Sequence, residues 1–114
     1  MNLEIRYLML PVKDREVSVQ FFTGKLGFEQ VSNVTIRNRA CEALRVSANG
    51  PLLVLEEMDA DHPDTQAARI VLNTDDCLRD YYRLKNQGVV FLGQPEYLSV
   101  GLTVHFTDPS GNVF

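Results

Sequence analysis

The chain has 114 residues, 45% hydrophobic and 23% charged, which fits one globular domain with a modest core. Its 11 basic and 15 acidic residues give a net charge of −4 without a Lys/Arg cluster, which argues against nucleic acid and anionic membrane as partners. No apolar run approaches the roughly 20 residues of a membrane-spanning helix. The opening MNLEIRYLMLPVKD carries both Glu4 and Arg6, unlike a secretory signal. Cys41 and Cys77 have no metal-ligand spacing and are expected as buried, reduced thiols in a cytoplasmic protein, with a disulfide between them as the lesser alternative.

The stretch 5–12 is apolar and extended, and Pro11 opposes a helix there. Asp14 is a helix N-cap, Val17 and Phe21 begin an apolar stripe, and Gly27 is a stop, so a helix is expected over 14–26. Strands are expected over 28–36, 41–48 and 52–57, with turns at Asn38 and at Asn49-Gly50-Pro51. The polar, acidic residues 58–67 read as a linker containing a solvated His62. The pattern then restarts with a strand over 68–74, the N-cap Asp76, a helical apolar face including Tyr81 and Tyr82, and a stop at Gly88. Strands over 89–93 and 101–107 follow, separated by an irregular stretch, 94–101, that carries Tyr97.

Tyr7 maps onto Arg69, Leu10 onto Leu72 and Asp14 onto Asp76, all at an offset of 62, while Gly27 and Gly88 sit at 61. The chain is therefore an internal repeat, with module one at about 1–57 and module two at 68–114. Each unit reads strand–helix–strand–strand–strand, an α+β pattern. One helix cannot cover both faces of a sheet, so one face of each sheet is left to line a concavity.

The segments VKDREVSVQFFTGKLGFE (12–29) and FTDPSGNVF (106–114) resemble the vicinal oxygen chelate superfamily of glyoxalases, bleomycin resistance proteins and extradiol dioxygenases. The resemblance implies two βαβββ modules with cupped mixed sheets, helices on the outer face, and a homodimer whose clefts involve both subunits. Metal-dependent members place ligands on the first and last strand of each module. By that resemblance the positions here are Tyr7, Glu56 (or Glu57), Arg69 and one residue past Phe114. A phenol with a reference pKa of about 10 is a poor divalent ligand, and a guanidinium has no lone pair to give. No metal or other cofactor is therefore expected.

Strand alternation sorts the side chains. With Leu8, Leu10, Leu44, Val46, Leu53, Leu55, Ile70, Leu72, Val104 and Phe106 against the helices, the other face carries Tyr7, Met9, Arg45, Val54, Glu56, Arg69, Val71, Thr103 and His105. Tyr7, Arg45, Glu56, Arg69 and His105 are the candidate ligand-binding residues. The arginines suit an anionic group, and Glu56 suits a cation or one of the arginines. Ion pairing among Arg45, Glu56 and Arg69 alone, without a ligand, is the structural alternative. His105 is a candidate general base or an exposed strand histidine. The expected function is metal-free small-molecule binding. The alternatives are a metal-dependent lyase or dioxygenase whose last ligand lies outside this sequence, and a non-catalytic dimeric interaction module.

Overall fold

A computed structural model describes residues 1–58 and 67–114. The first half folds as β1 (Tyr7–Val12), α1 (Arg15–Gly24), β2 (Glu29–Ile36), β3 (Arg39–Arg45) and β4 (Leu52–Glu57). These strands form one mixed sheet in the order β1-β4-β3-β2, with β1 parallel to β4 and the other pairs antiparallel. Asp14 caps α1 as expected, its carboxylate accepting a hydrogen bond from the Val17 N–H at 3.2 Å. Gly27, at φ 73°, then turns the chain towards β2. Between β2 and β3 only Arg37 and Asn38 intervene, at φ 52° and 63°. Two successive left-handed residues match the twist of a hairpin, so pairing resumes at once. That shifts β3 ahead of the expected 41–48, and Val46, expected against the helices, lies beyond its end and is exposed. Leu8 is likewise exposed.

The second half contains α2 (Cys77–Asn86), β5 (Val90–Phe91), β6 (Glu96–Leu98), β7 (Gly101–Thr103) and β8 (Phe106–Thr107). Asp76 caps α2 through the Arg79 N–H at 3.0 Å. The Thr74 hydroxyl donates to Asp80 and, with Arg79 and Arg83, holds that carboxyl below the usual carboxylate range. Arg69 bridges Val113 in parallel, Thr107 bridges Val113 antiparallel, and Val90 pairs with Thr107. The order 69–113–107–90 reproduces β1-β4-β3-β2, so the repeat read in the sequence is also a repeat of topology. The strand expected over 68–74 is reduced to its bridge at Arg69, with the Ile70 N–H on the Val113 carbonyl at 2.9 Å. The expected strand 101–107 is broken at Val104 and His105, and the stretch read as irregular forms the β6–β7 hairpin. Residues 59–66, most of the expected linker, and with them His62, lie outside the described residues.

Both helices pack on one core. It includes Leu10, Val12, Phe21, Phe22, Leu44, Leu53 and Leu55 from module one, and Leu84, Val89, Phe106 and Phe114 from module two. An aromatic chain runs through it from Tyr81 to Phe91 (4.7 Å between centroids), Phe106 (5.7 Å), Phe114 (5.3 Å) and Phe22 (5.6 Å). A buried polar cluster joins the modules beside it. The Asn112 amide nitrogen donates to the Pro11 carbonyl at 2.7 Å and to Asp108 at 2.8 Å, while its oxygen accepts from the Ala68 N–H at 2.7 Å. The Lys13 N–H donates to the Ser110 hydroxyl at 2.8 Å. Cys41 and Cys77 are free thiols, half-buried rather than buried, because each sits at the margin of an apolar cluster or the first turn of a helix.

Two buried polar side chains give opposite expectations. Asn112→Ala strands the Pro11 carbonyl, the Ala68 N–H and part of Asp108, and costs about 3 kcal/mol in chemical denaturation. Ser18 is buried in α1 and its hydroxyl has no partner among the described residues. Ser18→Ala removes an unsatisfied group and is neutral or stabilising by up to about 1 kcal/mol in the same measurement.

Candidate functional site

The face of the first sheet turned away from the helices is organised in rows by strand register. Tyr7 lies opposite Leu52, and Leu52 opposite Arg45, which pairs with Glu29. The next row is Met9, Val54, Ala43 and Val31. Val34, Ala43 and Val54 form a buried apolar floor, with Val31, Ile36, Cys41 and Leu52 packed against it. Tyr7 and Met9 rise beside this floor, 37% and 46% exposed. The Arg6 guanidinium lies 5.8 Å from the Tyr7 ring centroid.

Tyr7 and Arg45 therefore share a row of one open surface. Glu56 does not join them. It sits opposite Pro11, four residues along β4 from Leu52, which is about 13 Å at strand rise. Arg45 pairs with Glu29 instead, Nε to Oε2 at 3.6 Å. Glu57 points to the helix side and accepts a hydrogen bond from the Arg15 N–H at 3.1 Å. Arg69 and His105 belong to module two. Arg69 is in the row with Val113, Thr107 and Val90, and His105 is exposed beside β8, its carbonyl accepting from the Leu92 N–H at 2.9 Å. Among the described residues, no hydrogen bond or ion pair links any of the five candidates to another.

The profile of the Glyoxalase/Bleomycin resistance protein/Dioxygenase superfamily matches residues 4–114. The chain belongs to that superfamily. Uncharacterized protein YetH of Bacillus subtilis (strain 168) is 30% identical over 105 residues, covering 90% of this chain and 88% of YetH. The crystal structure of TnmS3, an antibiotic binding protein from Streptomyces sp. CB03234, superposes with a TM-score of 0.82 at 26% identity, over 98% of this chain and 92% of that one. A superfamily member from Sphaerobacter thermophilus DSM 20745 does so with a TM-score of 0.82 at 26% identity, over 99% and 94%.

In this glyoxalase-like chain the metal-ligand positions do not fit one divalent ion. Donors bound to the same ion each lie about 2 Å from it, whereas the register holds Tyr7 and Glu56 four residues apart along neighbouring strands. The open-face residues between them on β4 are Leu52 and Val54, which have no donor atoms to offer. Arg69 adds a fixed positive charge. Among the described residues no three His, Cys, Asp or Glu side chains converge.

Sequence reasoning missed Glu29 and Val31 as the β2 neighbours of Arg45 and Ala43. The two-residue loop at Arg37-Asn38 fixes the pairs only as far as Val34 and Cys41. A register shift between Val31 and Val34 then brings Val31 opposite Ala43 and Glu29 opposite Arg45, where the loop alone would have set Ser32 and Gln30. The Glu29–Arg45 pair is exposed, and such pairs contribute roughly 0–1 kcal/mol. Glu29→Gln is expected to shift unfolding by less than about 1 kcal/mol while leaving Arg45 without its carboxylate. Urea denaturation of the two proteins side by side reads this directly.

Proposed function

We propose that this protein binds a small organic molecule on the open face of its first sheet and does so without a metal ion. The composition of that face carries the reading. An apolar floor of Val54, Ala43 and Val31 lies under Met9, with Tyr7 and Arg45 on the adjoining row. Apolar surface supplies affinity at about 25 cal/mol per Å² buried, and a few placed polar groups set orientation. Arg45 offers a planar fork for a carboxylate, enolate or carbonyl oxygen, and Tyr7 a ring face and a hydroxyl. The ligand class that suits these groups is a largely apolar, ring-containing molecule with one acidic or strongly accepting edge. Similarity to the antibiotic binding protein TnmS3 supports a role in sequestering such a compound. The separation of Tyr7 from Glu56 supports the metal-free form.

Melting curves against a panel of ring-containing antibiotics and aromatic acids test the proposal. A binder at a hundredfold excess over its Kd adds about 2.7 kcal/mol to the native state, and Arg45→Met removes most of that gain. A panel without any stabilising compound counts against the binding site. One equivalent of divalent ion in the purified protein, with turnover lost on chelation, overturns the metal-free reading.

The proposal extends to a homodimer. Val71 and Val90 stand 90% and 63% exposed, and Val90 shares the row of Thr107, Val113 and Arg69 on the open side of module two. A second copy placed over this face would cover them and close the cleft. Light scattering of the wild type is expected to give twice the mass of 12.9 kDa, and of Val90→Glu a value near the monomer. A monomeric wild type at micromolar concentration removes this part of the proposal and leaves the binding face to be judged by the melting curves.

A further inference from the structure

On the helix side of module two, away from the open sheet faces, α2 and the β6–β7 hairpin border an open groove of about 320 Å³. Leu78, Tyr81, Tyr82 and Lys85 line it from the helix, and Tyr97 and Leu102 from the hairpin. The hairpin register explains its chemistry. Tyr97 and Leu102 are cross-strand partners, so both side chains leave the ribbon on one side. The neighbouring pair, Glu96 and Thr103, leaves on the other. The register thus turns an aromatic ring into the groove and carries Glu96 away from it.

The helix supplies a cation. Lys85 Nζ lies 5.4 Å from the Tyr81 ring centroid and 3.4 Å from the Tyr81 hydroxyl, and among the described residues no carboxylate comes within 4.0 Å of it. Its charge is positioned but not neutralised. Tyr81 itself is fixed, buried against Phe91 at 4.7 Å between centroids. Tyr82 and Tyr97 are 60% and 84% exposed, a large aromatic area to leave in water. A groove with aromatic walls, an anchored ammonium and no acid on its surface matches a flat aromatic ring bearing one negative charge.

We propose that this groove is a second binding site, for small aromatic carboxylates, separate from the open sheet face. The ring lies between Tyr82 and Tyr97, and the carboxylate meets Lys85. The site rests on residues that the open-face reading does not use, so either can fail without the other.

The chain has four tyrosines and no tryptophan, and three of the four line this groove, so intrinsic fluorescence reports on it directly. 2-Naphthoate is expected to quench tyrosine emission saturably. Its uncharged amide should bind about tenfold more weakly, as loss of a charge-assisted contact implies. Lys85→Met weakens 2-naphthoate by a similar factor, and Tyr97→Ser lowers affinity for acid and amide alike. Both positions are exposed, so the variants keep the wild-type melting temperature. Arg45→Met leaves this titration unchanged. Absence of saturable quenching overturns the proposal, as does equal affinity in Lys85→Met. Loss of quenching in Arg45→Met moves the aromatic acid to the open sheet face and overturns it too.

Discussion

Asn112 is the side chain on which the architecture turns. It is fully buried, yet it serves three backbone segments at once: the end of β1 through Pro11, the entry to module two through Ala68, and its own turn through Asp108. A buried amide is tolerated only when both its donors and its acceptor are matched, and here those partners come from both modules. The next residues continue the join: Val113 bridges Arg69, and Phe114 stacks on Phe106 and meets Phe22 edge-on. The motif DPSGN thus acts less as a simple reversal than as the lock between two repeats.

That lock accounts for the disposition of the open faces. Because Phe114 and Phe22 share one aromatic chain, the helix-side faces of both sheets merge into a single core, and α1 and α2 are committed to it. Nothing remains in the described chain to cover the opposite faces. The first carries Tyr7, Met9 and Arg45 over a small-residue floor, and the second carries Arg69, Thr107 and Val90. Ligand-ready surface is a consequence of having one helix per sheet, and register then decides which side chains meet on it.

Much of this was legible in the linear pattern. The N-caps Asp14 and Asp76, the strand expected over 52–57 and the offset of 62 between modules all reappear as helix starts, the strand Leu52–Glu57 and a repeated strand order. These are local rules, acting within a few residues or through a strict period. The breakdown came where two segments had to be aligned. Parity placed Tyr7, Arg45 and Glu56 on one face but was silent on distance along the strand, and pairing with Pro11 carries Glu56 four residues from Tyr7's row. The β6–β7 hairpin escaped because 94–101 reads as irregular in the sequence, while the Glu96–Thr103 and Tyr97–Leu102 pairs exist only once the ribbon has closed.

By itself the sequence determined the class of fold, the recurrence of one pattern along the chain, the capped helices and the superfamily, since each depends on residue type at fixed local spacing. It also marked Tyr7 and Arg69 as poor metal ligands, because that follows from the chemistry of a phenol and a guanidinium. Only the tertiary structure decided that Arg45 faces Glu29 rather than Glu56, that Asn112 ties the modules together, and that Lys85 stands among three tyrosines. Those outcomes depend on strand register and on the docking of one repeat against the other, and both are set by many weak contacts between residues far apart in the chain.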